Sequence, residues 1–92
     1  MFRLSHDVIE SDEGFTVQIL GRGRLRYCEP PRCVYVDTEF LVGPSGMVVY
    51  SRSIRRWEPP HAHEPIDDVK RAAIVANLRR ALAFRGYDIE VD

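Results

Sequence analysis

One segment of the chain, residues 69–85, has the pattern of an α-helix, and this single helix limits the folds open to the rest. The segment contains neither Gly nor Pro and is rich in alanine, which favours helix formation. Asp67 suits the N-cap position, and Gly86 suits the left-handed residue that ends many helices. Apolar residues recur at helical spacing and predict one buried face: Ile74, Val75, Leu78, Ala81 and Leu82.

Most of the remaining chain alternates apolar and polar residues, which is the pattern of β-strands with one buried face. The clearest strand covers residues 33–42, with Val34, Val36, Thr38, Phe40 and Val42 on one face and Cys33, Tyr35, Asp37, Glu39 and Leu41 on the other. Shorter strands are predicted at residues 8–10, 15–20, 25–27, 47–50 (continuing toward Ile54) and 87–91. The first two should form a hairpin around Gly14, and the last should be an edge strand.

These elements predict an α+β fold in a single domain spanning residues 1–92. Because one helix can cover only one face of a sheet, we expect a twisted, mainly antiparallel sheet with the C-terminal helix packed on one face. The other sheet face is left open to water or to a partner. An uncovered face or an edge strand could also support a homodimer.

The charge balance and the hydropathy exclude several broad classes of protein. The chain has 13 Lys and Arg residues against 14 Asp and Glu, a formal net charge of −1. This balance gives no general attraction to nucleic acid or to anionic membranes. No segment approaches the ~20 apolar residues that a bilayer span needs, and the first residues lack an apolar signal segment. We therefore expect a cytoplasmic protein with no membrane partner.

Cys28 and Cys33 are the two cysteines, and they flank the short loop at residues 29–32. They could face each other across a hairpin. A cytosolic chain keeps its thiols reduced, however, so we expect free cysteines. Two cysteines also cannot form a four-ligand zinc site without help from histidines.

The sequence contains no nucleophile elbow, no phosphate-binding glycine loop and no metal-binding helix motif. We expect neither enzymatic activity nor a cofactor. His61 and His63 could chelate a cation in an extended segment, but a third ligand would have to come from Glu64, His6 or a cysteine. An exposed loop with two neutral histidines is the preferred interpretation.

Three arginines, Arg22, Arg24 and Arg26, alternate along a predicted strand and would form a stripe on one side. One interpretation is a small nucleic-acid-binding module. A solvated sheet face and a site for an acidic partner are the other two. Nearby acidic residues and the negative net charge disfavour nucleic acid.

The loop around Trp57, the one tryptophan, is the most distinctive stretch. Prolines stiffen it, and Trp and Arg dominate the energetics of many interfaces. Trp57 could instead cap the core, and both roles are compatible. We predict partner-binding residues here: Arg55, Arg56, Trp57, Glu58, His61, His63 and Glu64.

Residues 53–61, Glu64-Pro65-Ile66, the helical residues 77–82 and the closing segment 86–91 together resemble the immunity protein 74 family. The resemblance implies a small α+β protein of bacterial polymorphic toxin systems, including contact-dependent inhibition. It implies a cytosolic antidote that binds one cognate toxin domain, often a nuclease, and occludes its active site or substrate surface. Two acidic clusters would complement a basic nuclease: Asp7, Glu10, Asp12 and Glu13, and Glu58, Glu64, Asp67 and Asp68.

Overall fold

The computed structural model describes residues 1–21, 23–43 and 46–92, and within these residues seven β-strands form one curled sheet with one α-helix. The strands lie side by side in chain order: β1 (Phe2–Ser5), β2 (Val8–Ser11), β3 (Thr16–Ile19), β4 (Arg24–Glu29), β5 (Arg32–Phe40), β6 (Gly46–Val49) and β7 (Asp88–Val91). The helix α1 spans Asp68–Phe84. All neighbouring strands are antiparallel except β6 and β7. The predicted α+β class is confirmed.

The N-terminal half of the sheet is a meander of hairpins. The expected pairing of β2 with β3 is confirmed, and Gly14 in the connecting turn has a φ of +96°. A further strand, β1, was not expected from the sequence. His6 and Asp7 form the turn between β1 and β2, with φ of +50° and +67°, the backbone signs of a type I′ hairpin turn.

Strand β5 is the longest strand of the sheet and alternates as predicted. Val34, Val36 and Thr38 are buried against the core, while Tyr35 and Asp37 point to the outer face. The predicted strand was too long at its C-terminal end, because pairing ends at Phe40. Val42, assigned to the buried face, lies beyond the strand and is fully exposed.

The chain after β6 does not continue as a strand toward Ile54, contrary to the prediction. It turns through one 3-10 turn, Ser51–Ser53, and then follows the free edge of β5. The Asp37 backbone N–H donates to Oγ of Ser53 at 2.9 Å, and the Glu58 N–H donates to the Cys33 carbonyl at 2.8 Å. A side-chain oxygen thus replaces a strand carbonyl, so the edge is satisfied by an irregular segment.

Helix α1 begins and ends as the sequence predicts. The Asp67 side chain accepts a hydrogen bond from the Lys70 N–H at 2.8 Å, and Gly86 has a φ of +88°. The fully buried helical residues are Ile74, Leu78, Ala81 and Leu82, while Val75 is partly buried at the margin. The helix also carries the chain across the sheet, which allows β7 to pair parallel to β6 at the edge.

Three residues of the segment that connects the sheet to the helix extend the core: Ile54, Trp57 and Ile66. Trp57 is only 6% exposed and belongs to the same apolar cluster as the helical face. Within the part of the chain that the structure describes, the helix lacks the length and the apolar run that a bilayer span requires.

The expectation of free cysteines is wrong in this structure. Cys28 and Cys33 are cross-strand partners in the β4–β5 hairpin, with Cα atoms 4.0 Å apart, and their sulfur atoms form a disulfide. A reducing compartment disfavours disulfides, but the hairpin register brings the two side chains together on the outer face, as the sequence had allowed.

Candidate partner-binding site

The predicted site residues lie in the irregular segment between the 3-10 turn and α1. They differ in how far their side chains are exposed to a partner. Arg55 and Arg56 are exposed, whereas Trp57 is buried. The Arg56 guanidinium donates to the Ala62 carbonyl at 3.3 Å, which folds the loop back on itself. Trp57 thus lies beneath this surface and holds the loop in place from the core side.

The two acidic loop residues are tied to the sheet. Glu58 accepts hydrogen bonds from Nε and Nη2 of Arg26 at 3.1 and 3.4 Å, and Glu64 accepts from Arg32 at 3.0 and 3.2 Å. The hydrogen bonds from Arg32 hold the pKa of Glu64 below its usual range, and those to Glu58 raise the pKa of Arg26. Both ends of the proline-containing loop are therefore clamped by bidentate ion pairs.

The two loop histidines lie close to these clamps. His61 is partly buried, His63 is exposed, and Nε2 of His63 lies 4.0 Å from a carboxylate oxygen of Glu64. Among residues 1–21, 23–43 and 46–92, no three His, Cys, Asp or Glu side chains are grouped in a way that could hold a metal ion.

The arginine stripe is described for two of its three members, because Arg22 lies outside the described residues. Arg24 and Arg26 occupy the outer face of β4, opposite Asp37 and Tyr35 of β5. The Cζ atom of Arg24 lies 4.1 Å from the centroid of the Tyr35 ring, and that of Arg26 lies 5.9 Å from it. The Arg24 guanidinium therefore lies over one face of the ring, while Tyr35 as a whole stays exposed.

Beside this stack is an open depression of about 610 Å³, which we call the arginine groove. It lies where the outer face of β5 meets the 3-10 turn, and its lining residues are Tyr35, Asp37, Tyr50, Arg52, Ser53 and Arg55. Ser53 fixes the turn by accepting from the Asp37 N–H and donating to the Tyr50 carbonyl. The Tyr50 hydroxyl donates to Glu39 at 2.6 Å, which raises the pKa of Tyr50.

Most residues of the two predicted acidic clusters form ion pairs with cations of the same chain. Six acidic residues have ion-pair partners: Glu10 with Arg3, Asp12 with the N-terminal amine, Glu13 with Arg80, Glu58 with Arg26, Glu64 with Arg32, and Asp68 with Arg71. Asp67 caps the helix. Internal pairing reduces the negative potential that these clusters offer to a basic partner.

The arginines around the groove differ from these paired residues. Arg24, Arg52, Arg55 and Arg56 have no ion-pair partner among the described residues. Unmatched positive charge is therefore concentrated where β4 and β5 meet the segment after β6.

Sequence reasoning found only Arg55 among the residues that line the groove. The other five lining residues were not predicted as site residues: Tyr35, Asp37, Tyr50, Arg52 and Ser53. The alternating pattern of β5 already predicted that Tyr35 and Asp37 lie on the open face of the sheet. The arginine stripe was predicted close to this face. The missing information was the register between β4 and β5 and the path of the chain after β6.

Comparison with known proteins gives one result that bears on function. The family described as Immunity protein 74 matches residues 16–92, which include every element from β3 to β7. The match extends the resemblance found in the C-terminal half into the sheet. No curated protein and no solved structure matches the chain.

Proposed function

We propose that this chain, which belongs to the immunity protein 74 family, protects a bacterial cell by binding one cognate toxin domain and neutralising it. The family match over residues 16–92 is the observation that carries the proposal. The proposed setting is the cytoplasm of a cell that carries a polymorphic toxin system, of which contact-dependent inhibition is one form.

The proposed mechanism is occlusion of the active site or substrate surface of the toxin, without catalysis by the immunity protein. Two depressions on the described surface are open grooves, and open grooves suit contact with another protein. An antidote of this size can act simply by covering the surface that the toxin needs.

We propose that the contact surface includes the predicted loop residues. The ion pairs of Glu58 and Glu64 and the neighbouring prolines support this, because a loop that is ordered before binding loses little entropy on binding. Arg55, Arg56, His61 and His63 would contact the partner, while Trp57 positions them from below. Self-association through the outer edges of β1 or β7 would be an additional property, measurable by sedimentation.

The decisive experiment is co-expression. The toxin domain encoded beside this gene is produced from an inducible promoter, with and without the immunity protein, and growth is followed. Rescue of growth and a stable complex on gel filtration are expected. If growth is not rescued although both proteins are soluble, the proposed function is wrong.

A second candidate is binding of nucleic acid, and the unmatched cations around the arginine groove are the observation that favours it. Asp37, which lines the groove, and Glu39, which shares the outer face of β5, weigh against it, because they would repel a phosphate backbone.

A further inference from the structure

Building on the proposed function, we propose that the arginine groove is the centre of the toxin-contact surface and that it receives an acidic segment of the toxin domain. The groove would bind carboxylate side chains presented on a loop or a helix. This assigns the partner a chemistry opposite to the one that the two acidic clusters predicted.

The cationic groups at the arginine groove are already oriented in the free protein. The Arg24 guanidinium is held over the Tyr35 ring at 4.1 Å, and a stacked guanidinium keeps its N–H groups at the edges available. Nε of Arg55 donates to the Arg52 carbonyl at 2.9 Å, which orients that side chain and leaves its two terminal nitrogens as donors. Two forks suited to bidentate carboxylate binding are thus positioned before a partner arrives.

Hydrogen bonds hold the wall of the arginine groove in place. Ser53 links the 3-10 turn to Asp37 of β5, and the Tyr50 hydroxyl is anchored on Glu39. The groove therefore has a defined shape in the free protein, which lowers the entropy cost of binding. Tyrosine and arginine are also the residue types, together with tryptophan, that most often dominate binding energy.

The arginine groove also carries more positive than negative side chains. Three guanidinium groups without ion-pair partners, those of Arg24, Arg52 and Arg55, surround a groove whose described lining holds one carboxylate, Asp37. An acidic partner would find free cations here, whereas the cations near the acidic clusters are already paired. The Asp37 carboxylate can accept a hydrogen bond from one donor group of the partner segment. This requirement contributes to specificity.

An acidic protein segment fits this surface better than a nucleic acid does. Base recognition on single strands relies on open aromatic faces, and one face of the Tyr35 ring is occupied by the Arg24 guanidinium. A continuous phosphate track would also pass the carboxylates of Asp37 and Glu39. A protein segment needs no open aromatic face, and it can place its separate carboxylates away from Asp37 and Glu39.

The test is charge reversal at the groove, with a matched reversal elsewhere. Arg52→Glu and Arg55→Glu change the groove. Arg85→Glu, at an exposed arginine after α1 that has no ion-pair partner among the described residues, is the control. Binding of a catalytically inactivated toxin domain is measured for each folded variant. We expect each groove variant to weaken binding at least about tenfold and to flatten the salt dependence of the association rate. The control should match the unmodified protein.

Each result has a distinct meaning. If the unmodified protein binds the toxin and both groove variants bind it equally well, the groove proposal is overturned and the proposed function stands. If the unmodified protein does not bind, both proposals fail. Arg55→Gln, which keeps size and polarity, replaces any variant that does not fold. Loss of binding to a short RNA, with unchanged toxin binding, would assign the groove to nucleic acid instead.

Discussion

The side-chain amide of Asn77 on α1 donates a hydrogen bond to the hydroxyl of Tyr27 on β4, with 2.9 Å between nitrogen and oxygen. The same hydroxyl donates to the carboxylate of Glu29, which also accepts from Nζ of Lys70 on the helix at 2.6 Å. The Tyr27 residue is 0% exposed. A continuous polar chain therefore crosses from helix to sheet at the edge of an apolar core.

Removing this hydroxyl should weaken the packing of α1 on the sheet. Tyr27→Phe leaves the Asn77 amide and one Glu29 oxygen without their partner, so we expect a loss of about 1–3 kcal/mol in the free energy of unfolding. Urea denaturation measures it. Tyr50→Phe, which removes a hydroxyl on the outer face, is the control and should cost less than about 1 kcal/mol. Equal effects of the two substitutions would contradict a special role for the Tyr27 chain.

Stability should also fall at alkaline pH through the same residue. Burial, followed by the hydrogen bond to Glu29, raises the pKa of Tyr27 above its usual value of 10.0. A raised pKa in the folded state means that the stabilisation is complete below pH 10.0 and is lost as the pH rises toward the folded value. Unfolding free energies between about pH 9 and pH 11.5 should decline more steeply for the unmodified protein than for Tyr27→Phe. Parallel curves would show that Tyr27 titrates alike in both states.

Acid should weaken the ion pair that clamps the Trp57 loop. The hydrogen bonds from Arg32 lower the pKa of Glu64 from 4.5. A lowered pKa in the folded state gives stabilisation that is present above pH 4.5 and lost as the pH falls through the folded value. The denaturant midpoint of Glu64→Gln should therefore depend less on pH below 4.5 than that of the unmodified protein. An unchanged slope would mean that the pair does not form in solution.

Trp57 should behave mainly as a core residue. Trp57→Ala removes a large side chain that is only 6% exposed, and we expect a loss on the order of 3 kcal/mol in the free energy of unfolding. Arg56→Ala, at the exposed neighbouring residue, should cost less than about 0.5 kcal/mol. Toxin affinity is measured for both variants under conditions in which each is folded. If Trp57→Ala changes neither stability nor affinity, the loop is only a connector.

Affinity for nucleic acid should be weak and nonspecific, because the net charge is −1 despite the arginine stripe. Binding to short RNA and DNA is measured at ~150 mM salt, where purely electrostatic binding is much reduced. The matched variant is Arg22→Glu combined with Arg24→Glu. A submicromolar complex that this variant abolishes would favour the nucleic-acid function over the immunity function.

The sequence by itself determined the elements whose causes are local. The N-cap at Asp67, the left-handed Gly86 and the apolar spacing of α1 each depend on a few neighbouring residues, so the helix was predictable from the sequence. The alternation of β5 and the hairpin around Gly14 were predictable for the same reason. The family resemblance likewise depended on short segments between residues 53 and 91, each recognisable by itself.

Only the tertiary structure decided which distant residues meet. The parallel pairing of β7, the disulfide between β4 and β5, and the path of the chain after β6 depend on strand register and packing, which no short segment encodes. The same holds for the arginine groove, because its wall joins β5 to the 3-10 turn. Ion pairs such as Arg80 with Glu13 link residues that are 67 positions apart, so counting charges along the chain could not reveal which acids remain free for a partner. Local hydrogen bonding and periodicity establish each element separately, whereas the proposed contact surface arises where several elements bury their apolar faces together and leave particular charges unmatched.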